Sequence, residues 1–222
     1  MIIVHHLNHS RSQRILWMLE ELGQDYDIQR YERDPQTMQA PASLRQVHPL
    51  GKSPVITDGD VTVAESGAIV TYLAETYGQG NLLPDRSSPA YRDYIYWLHY
   101  AEGSLMPPLL LRLVFEKVKT SPMPFFARPI AKQIADKTNS RFIGPQIKTH
   151  LDYIEAHLGK QDWFAGDRLS GADIQMSFPL EASVARGLID GHYPQIQAFV
   201  KRVQERPAYQ RALLRGGEYA YA

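Results

Sequence analysis

Two dipeptides carry the most chemistry in this 222-residue chain: Ser53-Pro54 and Glu65-Ser66. Pro54 opens the short β-run Val55-Ile56, and a proline at a strand's first residue sits where its missing N–H does no harm. The Ser53–Pro54 bond is expected to be cis, at a cost of about 0.5–1 kcal/mol, with the Ser53 backbone unpaired and facing outward. Asp58-Gly59 turns the chain, Val61-Thr62-Val63-Ala64 returns it, and an apolar-periodic helix begins at Ser66. A free backbone edge beside a helix start suits a peptide-like ligand with a carboxylate. The edge pairs with the ligand's main chain. The orphan N–H groups of the helix start and the Ser66 hydroxyl receive the carboxylate. Glu65 is placed to take an ammonium group.

Other chemistry is excluded. The chain has no cysteine, so it forms no disulfide and has neither a cysteine nucleophile nor a thiolate metal site. His5-His6 lies on a predicted strand, where neighbours face opposite sides, so the two are not a metal pair. Ser170-Gly171-Ala172-Asp173 reads as a helix cap, serine first and an acid three residues later, not as a catalytic acid. Formal net charge is zero, which gives no long-range attraction for nucleic acid or an anionic membrane. No run of eighteen apolar residues marks a membrane span. A soluble, cytoplasmic protein without metal or tightly bound organic cofactor is expected.

The elements that must position these residues fall into two sets. Residues 2–7 read as a buried strand, 11–23 as a helix stopped by Gly23, 26–31 as a second strand, 54–64 as a hairpin and 66–77 as a helix. A β-α-β-loop-β-β-α order implies a mixed four-stranded sheet with helices packed on it. Gly78 to Pro89 holds two glycines and two prolines and reads as a linker. Beyond it apolar residues recur at helical spacing near 90–118, 125–158, 170–186, 193–205 and 207–214. Pro107-Pro108 should kink the first of these segments and Gly144-Pro145 should disturb the second. The expected organisation is 1–79 as an α/β domain, 80–89 as linker and 90–222 as an all-α domain.

Four blocks, in order, resemble the cytosolic glutathione S-transferases. They are Val4-His5-His6-Leu7-Asn8-His9-Ser10-Arg11-Ser12, His48-Pro49-Leu50-Gly51-Lys52-Ser53-Pro54, Ala64-Glu65-Ser66-Gly67-Ala68-Ile69 and Leu169-Ser170-Gly171-Ala172-Asp173-Ile174. The His-Ser-Arg run, Glu102-Gly103-Ser104-Leu105-Met106-Pro107-Pro108 and the stretch from Ser170 to Pro179 look most like the family's fungal and bacterial branch, to which a yeast enzyme belongs. The resemblance implies a thioredoxin-like N-terminal domain and a glutathione site in it. Lys52 would neutralise the glycyl carboxylate, Ser53 beside Pro54 would pair with the cysteinyl unit, and Glu65 and Ser66 would hold the γ-glutamyl head. Glutathione is then a co-substrate, and its thiolate attacks a hydrophobic electrophile. The alternatives on the same fold are a glutathione-dependent peroxidase and a non-catalytic, partner-binding relative.

A thiol with a pKa near 8.5 must be favoured as thiolate. A donor aimed at sulfur, helped by the N-terminus of the helix at 11–23, can do this. The strand-to-helix loop reads Asn8-His9-Ser10-Arg11-Ser12. Ser10 is the first candidate, although serine there also serves as a helix cap. His9, Asn8 and Ser12 are further candidates, as is a backbone amide. No tyrosine lies in this loop. The second substrate is expected between the domains, against the helix at 90–118, lined by Tyr100, Met106 and Leu110. The resemblance, with Tyr91, Tyr94, Tyr96 and Trp97 crowded into seven residues, also implies a homodimer in which the helix at 66–77 faces the partner's helix at 90–118.

Overall fold

The computed structural model describes residues 1–37 and 39–222. Strand β1 (Ile2–Leu7) lies inside a four-stranded sheet of order β2-β1-β3-β4. It pairs in parallel with β2 (Tyr26–Tyr31), across helix α1 (Gln13–Leu22), and antiparallel with β3 (Val55–Asp58). The Asp58-Gly59 turn folds β4 (Val61–Ala64) back on β3, and α2 (Ser66–Tyr77) follows at once. The sheet is mixed, as the β-α-β-hairpin order requires.

Helices α3 (Pro89–Tyr100), α4 (Met106–Thr120), α5 (Arg128–Thr138), α6 (Gly144–Leu158), α7 (Gly171–Ala185), α8 (Pro194–Gln204) and α9 (Pro207–Gly216) make the second half. Pro107-Pro108 and Gly144-Pro145 interrupt their segments as the sequence implies, through one device. A π-helical turn at Ala101–Leu105 joins α3 to α4, and Pro107-Pro108 opens α4, where a missing N–H breaks no bond. A second π turn at Asn139–Ile143 precedes Gly144-Pro145 at the start of α6.

Helix α7 is the axle of the molecule. Its residues 171–183 are buried, and it packs against α1, α2 and α3. Ser170 caps it: its hydroxyl accepts the Ala172 N–H at 3.3 Å, and the Asp173 carboxylate accepts the Ser170 N–H at 2.8 Å and the Phe164 N–H at 2.7 Å. The Ser170 hydroxyl also donates to Asp173, at 2.8 Å; burial pushes the carboxyl up to about 6 against these bonds, those to Ser170 serving the cap. One apolar core runs from Val4 and Ile15 through Val70 and Trp97 to Phe199. It joins the sheet to the helices, and the clefts lie along that junction.

Candidate active site

The sheet edge and the start of α2 form a polar cleft of about 300 Å³, lined by Lys52, Ser53, Pro54, Glu65 and Ser66. All five glutathione-binding candidates therefore come together. The Ser53–Pro54 peptide is cis. Both residues precede β3, outside its ladder, and the Ser53 hydroxyl donates back to the His5 carbonyl at 3.0 Å. Glu65 occupies the position before α2 with φ 71°, a left-handed backbone that few non-glycine residues adopt. Such a residue persists only where its surroundings over-determine it.

Ser66 is fixed from behind. Its hydroxyl oxygen accepts from Arg14 Nη2 at 2.7 Å and from Gln175 Nε2 at 3.2 Å. A hydroxyl has two acceptor lone pairs and one proton; with both lone pairs used, the proton is left to donate. Arg14 also donates to the Gln175 carbonyl and to the Glu102 carboxylate. Arg11 Nε donates to both oxygens of Glu102, at 2.9 and 3.0 Å. Burial pushes the Glu102 carboxyl up, but Arg14 and Arg11 outweigh it and hold the group below its ordinary range. Glu102 sits in the π turn, so the helical half clamps the polar cleft of the α/β half.

A second, more apolar cleft of about 500 Å³ adjoins the first, and Arg11 and Lys52 line both. Met106 and Leu110 line it with Phe178, as does Tyr221. Tyr100 does not: it is buried, and its hydroxyl bonds His150 Nδ1 at 2.5 Å within the aromatic cluster of Trp97 and Tyr153. That expectation is corrected. At 100° per residue Tyr100 stands about 120° around the helix from Met106, and its ring packs into the core against Trp97 and Tyr153 instead.

The loop donors separate clearly. Ser10 is 4% exposed, and its hydroxyl is held by the Ser12 hydroxyl at 2.8 Å and the Ser12 N–H at 3.2 Å. It braces the turn into α1 and faces inward. Ser12 is fully buried, bonded to His6 Nδ1 at 2.9 Å and to the Leu7 N–H at 3.2 Å; burial, with Arg30 nearby, holds His6 down at about 4. Asn8 accepts the Arg33 N–H at 3.0 Å. Of Asn8, His9 and Ser10, His9 alone lines either cleft. Its backbone is left-handed, at φ 48°.

Arg11, Arg14, Gln175 and Tyr221 are absent from the sequence-derived site. Arg14 and Gln175 are 161 residues apart, and nothing local says which charges will meet. Two aromatics among the last four residues, Tyr219 and Tyr221, were the one available signal. Among the described residues no group of three or more histidine or carboxylate side chains is placed to hold a metal.

A sheet of this order, a helix starting beside its free edge and an all-helical second half define a class: thioredoxin-like proteins with an appended helical domain. Residues 1–75 match the family model of the glutathione S-transferase N-terminal domain, and residues 131–207 that of the C-terminal domain. Glutathione S-transferase 1 of Saccharomyces cerevisiae is 36% identical over 94% of this chain and 92% of its own length. Glutathione S-transferase 3 of Schizosaccharomyces pombe is also 36% identical, over 94% and 85%. A glutathione S-transferase crystal structure from Actinobacillus pleuropneumoniae superposes with a TM-score of 0.81 at 32% identity, covering 99% of this chain and 94% of that one. The chain belongs to the glutathione S-transferase family.

Proposed function

We propose that this transferase binds glutathione in the polar cleft, holds its sulfur at the junction marked by Arg11 and Lys52, and directs the thiolate at a hydrophobic electrophile in the apolar cleft. Lys52 meets the glycyl carboxylate. The Ser53 backbone, beside Pro54, pairs with the cysteinyl unit. Ser66 donates its proton and its orphan N–H to the γ-glutamyl carboxylate, and Glu65 takes the ammonium. The observation that carries this reading is the Ser66 hydroxyl, both of whose lone pairs are filled by Arg14 and Gln175.

His9 is the donor this reading assigns to the sulfur, since Ser10 turns inward; Ser10 keeps the role of bracing the loop. Residues 1–79 supply the glutathione site, 80–89 the linker and 90–222 the wall for the electrophile. No cofactor takes part, and the protein works in the cytoplasm; no helix of the described residues is long and apolar enough to cross a membrane. The working unit is a homodimer. Tyr94 and Trp97 are buried in the core, whereas Tyr96 is 46% and Tyr153 47% exposed, and a separate apolar groove between α2 and α3 is lined by Ala68, Tyr72, Ile95 and Leu98. A dimer mass by light scattering at micromolar concentration is expected; a monomer mass there rules the assembly out.

The activity test uses purified protein with glutathione, against a model aryl halide and an organic hydroperoxide. Conjugation of the halide is expected. Turnover of the hydroperoxide alone would make the peroxidase the correct reading, and inactivity on both with glutathione bound would make the protein a binding relative.

A further inference from the structure

Residues 217–222 leave α9 and run back beside the apolar cleft. Two anchors hold them. The Tyr219 hydroxyl donates to the Glu181 carboxylate at 3.1 Å, which also takes the Tyr209 hydroxyl. Arg186 Nη2 donates to the Tyr221 hydroxyl at 2.9 Å, and the Tyr221 ring meets Phe178 edge-on at 5.7 Å. Between the anchors the Ala220 amide donates to His9 Nδ1 at 3.1 Å.

That one contact has a chemical consequence. A neutral imidazole has one N–H donor and one bare acceptor nitrogen. The hydrogen bond made at one nitrogen decides which of them carries the proton. Nδ1 accepts, so the proton is on Nε2; the opposite tautomer would set N–H against N–H. The left-handed backbone of His9 fixes where the ring starts from, and the Ala220 amide fixes which nitrogen is the donor.

We propose that residues 217–222 belong to the thiol site: the Ala220 amide holds His9 in the Nε2–H tautomer, so that Nε2–H is the donor offered to the glutathione sulfur. Ala220 is a positioning residue, and His9 is the group that touches the sulfur. The proposal rests on the reading of His9 as donor. Tyr221, from the same segment, lines the apolar cleft, so one stretch of chain both orients the donor and bounds the space for the electrophile. A donor at Ser10 or Asn8 would owe nothing to residue 220.

Ala220→Pro deletes the one amide proton, and Ala220→Gly keeps it. The histidine ring ¹⁵N spectrum of the unliganded protein should show His9 as the Nε2–H tautomer in the parent and in Ala220→Gly, and as a mixture in Ala220→Pro. With glutathione bound, the midpoint of thiolate ultraviolet absorbance against pH should rise by about one unit in Ala220→Pro, a tenfold change in ionisation. Glutathione affinity should stay within about twofold. In a His9→Ala background Ala220→Pro should add nothing. Tyr219→Phe, which loosens the segment without proline, should give a smaller shift in the same direction if Ala220→Pro folds poorly. An unchanged His9 tautomer in both variants overturns the proposal, as does a midpoint shift of equal size with and without His9. A midpoint unmoved by His9→Ala sinks the donor reading itself, and the ring spectrum still decides the tautomer.

Discussion

Two glutamates, one behind each cleft, are treated oppositely. Glu102, behind the polar cleft, is gripped by two guanidinium groups and held below the usual carboxyl range. Glu181, under the segment that bounds the apolar cleft, has two tyrosine hydroxyls as its hydrogen-bond partners, and burial pushes it up to about 7. The first arrangement fixes charge in place for a charged ligand. The second needs only a hydrogen-bond acceptor, which two neutral hydroxyls satisfy. On the proposed function, the peptide's cleft is backed by ion pairs and the electrophile's by hydrogen-bonded tyrosines.

Removing Arg14 breaks the first arrangement outright. Arg14→Met leaves Glu102 to Arg11 alone and strips the buried Ser66 hydroxyl and Gln175 carbonyl of a donor, and a buried group left unsatisfied costs about 1–3 kcal/mol. A large fall in the urea midpoint is expected together with loss of glutathione binding. Adding Glu102→Gln should recover part of the stability; no recovery would mean the pair is not what holds the site.

The two glutamates should also give pH dependences of opposite sign. Glu181 has a folded value of about 7 against an ordinary 4.5, so the native state binds more protons in that interval. Its contribution is greatest below 4.5 and is lost as pH rises through about 7. Glu102 is lowered in the fold, so its contribution is present above the ordinary value and lost as pH falls. Relative to the parent, melting temperature should therefore vary with pH between 4.5 and about 7 in Glu181→Gln and only below 4.5 in Glu102→Gln, with opposite sign. Parallel curves would refute the contrast.

Smaller effects distinguish the clefts as binding surfaces. Glu65→Ala removes one charge-assisted contact, worth about 1.5–3 kcal/mol, and should weaken glutathione tenfold or more by calorimetry with the fold intact. Leu110, 52% exposed, is one replaceable part of a wall. Leu110→Ala should raise KM for the aryl halide by only about twofold to threefold, a fraction of full side-chain burial, and leave KM for glutathione unchanged. A tenfold loss there would make the apolar cleft as exacting as the polar one.

What the sequence disclosed follows the same divide. Pro54, the Asp58-Gly59 turn, Glu65-Ser66 and the Ser170 cap are local signals, since each depends on residues within a few positions. The order of strands and helices came from periodicity for the same reason. Arg14 meets Ser66 across 52 residues and Glu102 across 88, and composition does not pair distant charges. Ser10 was read as facing a ligand because a turn hydroxyl does not declare its direction; it spends its bonds on Ser12. Tyr100 belongs to the same sequence segment as Met106 and Leu110, and membership of one segment does not say which face of a helix a side chain takes.

That turn also makes the helical half separable into parts. Each residue advances an α-helix by 100°, and the π turn takes up one residue more than an α turn would. Removing one residue from Ala101–Leu105 would rotate α4 by about 100° against α3, carrying Met106 and Leu110 off the cleft while Trp97 stayed in the core. The extra residue therefore acts as an indexing joint. A helix α4 grafted from a relative would keep its bearing on the substrate only if the donor sequence carried the same insertion, and with that insertion the graft could be exchanged without disturbing the clamp at Glu102.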